Sequence, residues 1–175
     1  MLKKIALTIL VLICAVLVYA ATKPSTFSVR RTATIKAPPE KIYPLISDFH
    51  SWSAWSPYEK MDPAMKKTFS GAAAGKGAVY EWDGDSHVGR GRMEIAEATA
   101  PSRVAIDLRF LKPMKSDNVA EFTLVPKGES TTVTWAMRGP VLYIGKVVSV
   151  FVNVDRMIGN DFETGLANLK AIAEK

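Results

Sequence analysis

The spacing of hydrophobic positions changes three times along the chain, and each change predicts a different kind of element. Lys3 and Lys4 precede a run without a charged residue from Ile5 to Ala21. No polar face interrupts that run, which suits a membrane better than a protein core. A short polar linker follows. FSVRRTATIK then alternates, placing Phe27, Val29, Ala33 and Ile35 on one face of a strand. Ala37-Pro38-Pro39 ends the strand, and Glu40 opens a helical stretch, EKIYPLISDF, in which Pro44 predicts a kink or a restart. Phe49, Trp52 and Trp55 recur at helical spacing until Pro57 closes the segment.

Period two takes over from Lys67. Strands are expected at 67–70, 77–82, 88–98, 103–111, 118–126 and 131–138, separated mostly by glycine, aspartate and proline turns. In RVAIDLRF, Val104, Ile106, Leu108 and Phe110 oppose Ala105, Asp107 and Arg109. In TTVTWAMR, Val133, Trp135 and Met137 oppose Thr132, Thr134 and Arg138. One apolar and one polar face predict an antiparallel, half-solvated sheet. The period changes again at the end, where Phe151, Val154, Ile158, Phe162, Leu166 and Leu169 recur at steps of three and four. That spacing predicts one long amphipathic helix from about residue 146 onward. It is the only element long enough to cover the apolar face, so a curved sheet wrapped around it is expected. The class is α+β, with about seven strands and two short helices after the first.

Charge changes this picture little. The chain of 175 residues carries a formal +6, and without Lys3 and Lys4 there are 21 basic against 17 acidic residues. So mild an excess suits the neighbourhood of an anionic membrane, and the absence of a Lys/Arg run argues against nucleic acid as a partner. The seventeen residues from Ile5 to Ala21 would span roughly 25 Å as a helix, between the lengths of an anchor and a cleaved signal. Val18-Tyr19-Ala20 would serve as a cleavage site. A retained anchor is the favoured reading, giving residues 1–22 as anchor or signal, 23–26 as linker and 27–175 as the domain. With the lysines in the cytoplasm, the domain lies outside it, membrane-anchored or else secreted after cleavage. Cys14, the only cysteine, sits inside the apolar run, which leaves the exported part without a disulfide or a thiolate metal site.

Candidate chemistry is sparse. His50 and His87 lie in separate segments, and His50 falls on the polar side of its helix. Asp83-Gly84-Asp85-Ser86-His87 lacks the later acidic positions of a calcium loop, so a hairpin turn is expected there. GAAAGKGA has three residues where a phosphate loop needs four, and GRGRM completes no dinucleotide fingerprint. There is no G-x-S-x-G, H-E-x-x-H or paired-cysteine motif. Glu81, Glu94, Asp107 and Glu121 alternate onto the polar face, where ion pairs with residues such as Arg90 and Arg92 account for them. Tyr80 is the one inward strand residue suited to acid–base work, and it has no evident partner. No catalytic residue, cofactor or metal is nominated.

The stretch TATIKAPPEKIYPLISDFHSWSAWSPYEKMDP, the strand pair around GAVYEWDGD and the closing GNDFETGLANLKAIAEK resemble the START-like (SRPBCC) superfamily, in its polyketide cyclase/dehydrase-type branch. The resemblance covers nearly everything after residue 26. It implies a helix-grip fold, in which sheet and C-terminal helix enclose an elongated apolar cavity for a lipid-like or polyketide-like molecule. Candidate lining residues are Trp52, Trp55, Tyr80, Trp82, Phe110, Phe122, Trp135, Met137, Phe151 and Phe162, although the bulky ones would equally fill such a space. Two readings of Trp52 and Trp55 stay open: a hydrophobic plug belonging to the core, or indoles lining a cavity with N–H groups free to orient a polar head. The function implied is a membrane-tethered binding protein for a hydrophobic or amphiphilic small molecule. The alternatives are a cyclase- or hydratase-type enzyme, and an interaction module in which the mixed polar sheet face or the apolar VVSVFVNV segment engages a protein or the bilayer.

Overall fold

A computed structural model describes residues 1–175. Helix α1 (Leu2–Ala21) stands away from the rest of the molecule over most of its length. Strand β1 (Thr26–Ile35) leads into α2 (Pro39–Ser47), a 3-10 turn (Phe49–Ser51), α3 (Trp52–Trp55) and α4 (Tyr58–Met61). Six strands follow: β2 (Lys66–Gly71), β3 (Ala78–Asp83), β4 (Arg90–Thr99), β5 (Arg103–Lys112), β6 (Ser116–Lys127) and β7 (Ser130–Pro140). Helices α5 (Tyr143–Phe151) and α6 (Val154–Ala173) complete the chain. Pro44 does not restart α2, which continues to Ser47 as one helix.

The seven strands form one antiparallel sheet in the order β1-β7-β6-β5-β4-β3-β2. Consecutive strands from β2 to β7 are neighbours, as short turns dictate, and only β1 crosses to reach β7. The predicted alternation holds from Ile106 onward, with Ile106 and Leu108 buried and Asp107 and Arg109 exposed, while Ala105 on the other face is buried together with Val104. Register places Val29 opposite Met137, Met137 opposite Ala120, and Ala120 opposite Ile106, so the apolar residues form transverse rows on one face. A register shift between Ile95 and Glu97 bends β4 where the sheet curves.

Helix α6 fills the hollow of this curve along β1. Phe162, Leu166, Leu169 and Ala173 are its buried stripe, and each large side chain contributes roughly 1.5–3 kcal/mol by leaving water. Arg31 shares the inner face of β1 and reaches α6, donating to Glu163 at 2.7 Å and to Asp155 at 3.1 Å. Gly159 makes room for it, since a Cβ there would stand 1.9 Å from the guanidinium.

The C-terminal helix differs from the expectation. It is two helices, not one from residue 146, because Val152 and Asn153 leave helical geometry. The Asn153 side chain accepts from the Arg156 backbone N–H at 2.9 Å and starts α6 as an N-cap. The apolar steps of three and four run across this break without registering it.

Candidate functional site

Local chemistry explains why the two tryptophans of DFHSWSAWSP sit where they do. A helix end leaves four carbonyls without partners, and α2 ends inside the protein. Asp48 N–H donates to the Pro44 carbonyl, and Gly75 N–H to that of Ser47. The remaining two belong to the indoles: Trp55 Nε1 donates to the Leu45 carbonyl at 2.8 Å and Trp52 Nε1 to that of Ile46 at 2.9 Å. Both N–H groups are taken up by α2, so neither is free to orient the polar head of a ligand. Their rings pack edge-on against Phe122 and Trp135, and Trp135 stacks on Phe162 of α6 at 4.0 Å. Five of the nominated residues therefore fill one end of the grip. Trp135 Nε1 alone is buried without a partner.

The other end is less completely covered. Val104, Ile106, Phe122 and Val133 are wholly buried, whereas Trp82, Met93 and Leu108 keep 8% of their surface and Met137 keeps 7%. Phe27 and Phe110 are only partly buried against the same core. Register makes these residues neighbours, with Met93 opposite Leu108, Gly91 opposite Phe110, Trp82 opposite Gly91 and Phe27 opposite Gly139. They lie toward the end where β1 begins and β7 ends. Asn118 is the buried polar residue of this region, its Oδ1 accepting from Ser116. Trp82, Phe110 and Met137 were nominated from sequence. Met93, Leu108 and Asn118 were not, although Leu108 already stood on the predicted apolar face. Methionines suit an adaptable apolar surface.

Tyr80 bridges the two ends and has the partner that sequence spacing did not reveal. Its hydroxyl donates to Glu59 Oε1 at 2.6 Å, and Lys67 contacts the other carboxylate oxygen. Burial, followed by the hydrogen bond to Glu59, pushes the Tyr80 hydroxyl far above the usual tyrosine range. The arrangement holds the phenolic proton and does not release it, so it works as a clamp between α4 and the sheet edge. Beside it, Phe49, His50 and Phe69 face Ala78 and Val79 across an open cleft of about 160 Å³. This is the volume of a single aromatic ring.

The remaining candidates are placed elsewhere. Phe151 is 74% exposed on α5, a correction to its nomination as a cavity residue. The break at Val152 and Asn153 turns it away from the stripe that continues in α6. His50 is exposed, hydrogen-bonded to Asp48 at 2.9 Å and stacked on Phe69. His87 pairs with Asp85, whose carboxyl is held below its usual range by hydrogen bonds from the His87 side chain and backbone. The hairpin residues Asp83 to Ser86, with Gly89, Lys112 and Pro113, line an open hollow of about 420 Å³ at the less-covered end.

Solved structures share this architecture at identities that speak for the fold alone. A protein from Chromobacterium violaceum is 17% identical, with a TM-score of 0.60 over 87% of this chain and 99% of that one. The major latex-like protein 151 of Panax ginseng is 14% identical, with a TM-score of 0.60 over 87% and 100%. A protein from Nitrosospira multiformis is 18% identical, with a TM-score of 0.59 over 84% and 96%. None of the curated proteins matches the sequence. The model of one family matches residues 26–174, the whole of the sheet and the helices that grip it, and the chain belongs to that family: polyketide cyclase/dehydrase and lipid transport.

Proposed function

We propose that this protein binds a hydrophobic or amphiphilic small molecule at the less-covered end of its concave sheet, and that α1 tethers it to a membrane with the domain outside the cytoplasm. The incomplete cover over Trp82, Met93, Leu108, Phe110 and Met137 carries this reading. An apolar edge at which Phe27 and Phe110 stay partly exposed can take an acyl or isoprenoid chain, and Asn118 gives it a polar group to orient a head. The closed end, where Trp135 stacks on Phe162, limits how deep a guest can go. Lipid transport in the family's description agrees with such a ligand.

The tether is supported by length and by attachment. Helix α1 has 20 residues, about 30 Å of helix, which matches a hydrocarbon core. Its last turn is built into the folded protein: Ala20 is fully buried, and Leu17 accepts a hydrogen bond from Tyr143. A retained anchor accounts for that fit better than a discarded signal.

Native mass spectrometry of the full chain purified in mild detergent tests the binding. A lipid-like mass should travel with the wild-type protein and be lost from Leu108→Trp, which puts a larger side chain into the rows beside Phe110. Protein that carries no such mass, and gains none when membrane lipid extract is added, would end this reading.

A further inference from the structure

Helix α5 is the most exposed apolar element of the folded domain. Ile144, Val148 and Phe151 stand at i, i+4 and i+7 on one face and are all exposed, with Leu142 and Val152 at the two ends. The opposite side carries the half-buried Lys146, Ser149 and Val150. A bare apolar stripe of this kind is uncommon on a protein surrounded by water on every side.

What covers it follows from its neighbour. Helix α5 packs beside the C-terminal part of α1. The Tyr143 hydroxyl donates to the Leu17 carbonyl at 2.8 Å. Leu17 lies four residues before the end of α1, roughly 6 Å along the helix axis. Amphipathic helices that lie in a membrane surface sink about 5–10 Å below it. An upright α1 that just spans the hydrocarbon core therefore carries α5 to that depth. The charges agree with this placement. No acidic residue occurs between Leu142 and Val152, and Lys146, reaching Ser25, is joined by Lys23, reaching the Ser149 carbonyl. Exposed Met114, flanked by Lys112 and Lys115, caps the β5–β6 turn at the same end of the sheet.

We propose that α5 is a second membrane contact, lying in the headgroup layer with Ile144, Val148 and Phe151 in the acyl boundary, so that the less-covered end of the sheet faces the bilayer. This rests on α1 being a retained anchor. A ligand would then pass between the bilayer and that end without crossing bulk water.

The test uses the full chain in nanodiscs of phosphatidylcholine and phosphatidylglycerol holding one chain each, with nitroxide labels read for access to oxygen and to a water-soluble nickel chelate. A label on the native Cys14 reports the anchor. Val148→Cys and Phe151→Cys, each in a Cys14→Ser background, report α5, and Val125→Cys at the far end of β6 is the water-exposed reference. The expected result is nickel access at Val148 and Phe151 several-fold below that at Val125, with oxygen access raised. A buried Cys14 label with Val148 and Phe151 as open as Val125 overturns the second contact and leaves the anchor standing. An exposed Cys14 label overturns both. Protection of α5 that arises only in discs holding two chains assigns the stripe to a second copy and overturns the lipid contact.

Discussion

Three tryptophans meet at the closed end of the grip, and their nitrogens meet different fates. Trp52 and Trp55 complete the hydrogen bonds of α2, while Trp135 Nε1 has no partner and is held by stacking between Phe122 and Phe162. An unmatched buried donor costs about 1–3 kcal/mol, so this ring must be secured by shape. Gly165 supplies the shape: a Cβ there would stand 2.7 Å from the Trp135 ring and 3.1 Å from Pro57. Gly165→Ala is expected to lower stability by about 1–3 kcal/mol, because ring, proline and helix backbone are all packed and none can yield. Gly159→Ala meets only the end of the Arg31 side chain, which can swing away while the helix gains up to about 1 kcal/mol of propensity. Urea unfolding in mild detergent, followed by tryptophan fluorescence, should rank the two variants in that order. Equal effects would mean that the aromatic stack is not as tight as its distances imply.

At the scale of elements, what is local in sequence was legible and what is not local was not. Strands β3 to β7 emerge from alternation because each buries one face, and α6 from its stripe of Phe162, Leu166 and Leu169. The break before α6 stayed hidden because Phe151, Val154 and Ile158 keep helical spacing across it. Its signal was polar: Asn153 at the cap with Asp155 in the first turn. The partnership of Glu59 with Tyr80 joins residues 21 apart on different elements, and no spacing rule reaches it. The nitrogen contacts of the tryptophans were equally illegible, since they depend on where α2 ends. The cap itself is testable. Asn153→Ala should cost about 1 kcal/mol and Asn153→Asp almost nothing, both read from denaturation midpoints. A null effect of alanine would mean that α5 and α6 are set by packing against α1 and β1 alone.

The whole molecule is polar along one axis, with an aromatic plug at one end and an adaptable apolar edge, the linker and α5 at the other. Two tyrosines, Tyr80 buried and Tyr58 partly buried, tie the plug and the sheet edge to the global fold. Tyr58, packed edge-on near Trp135, has its hydroxyl raised far above the usual range by burial and then by the nearby Asp161 carboxylate. Tyr80 is raised by burial and by Glu59. In the unfolded chain both would ionise near the ordinary value of about 10. Below that pH both states hold the two protons, and the tyrosines add no pH dependence. Above it the unfolded chain loses protons that the folded protein keeps, so stability must fall as pH rises. Denaturation midpoints are therefore expected to drop steeply above about pH 10, with two tyrosinate equivalents released only as the fold is lost. Tyr80→Phe should remove one equivalent and flatten the slope. Release of both protons from protein that is still folded would mean that these hydroxyls are open to water, and the clamp at Glu59 would then have to be loose as well.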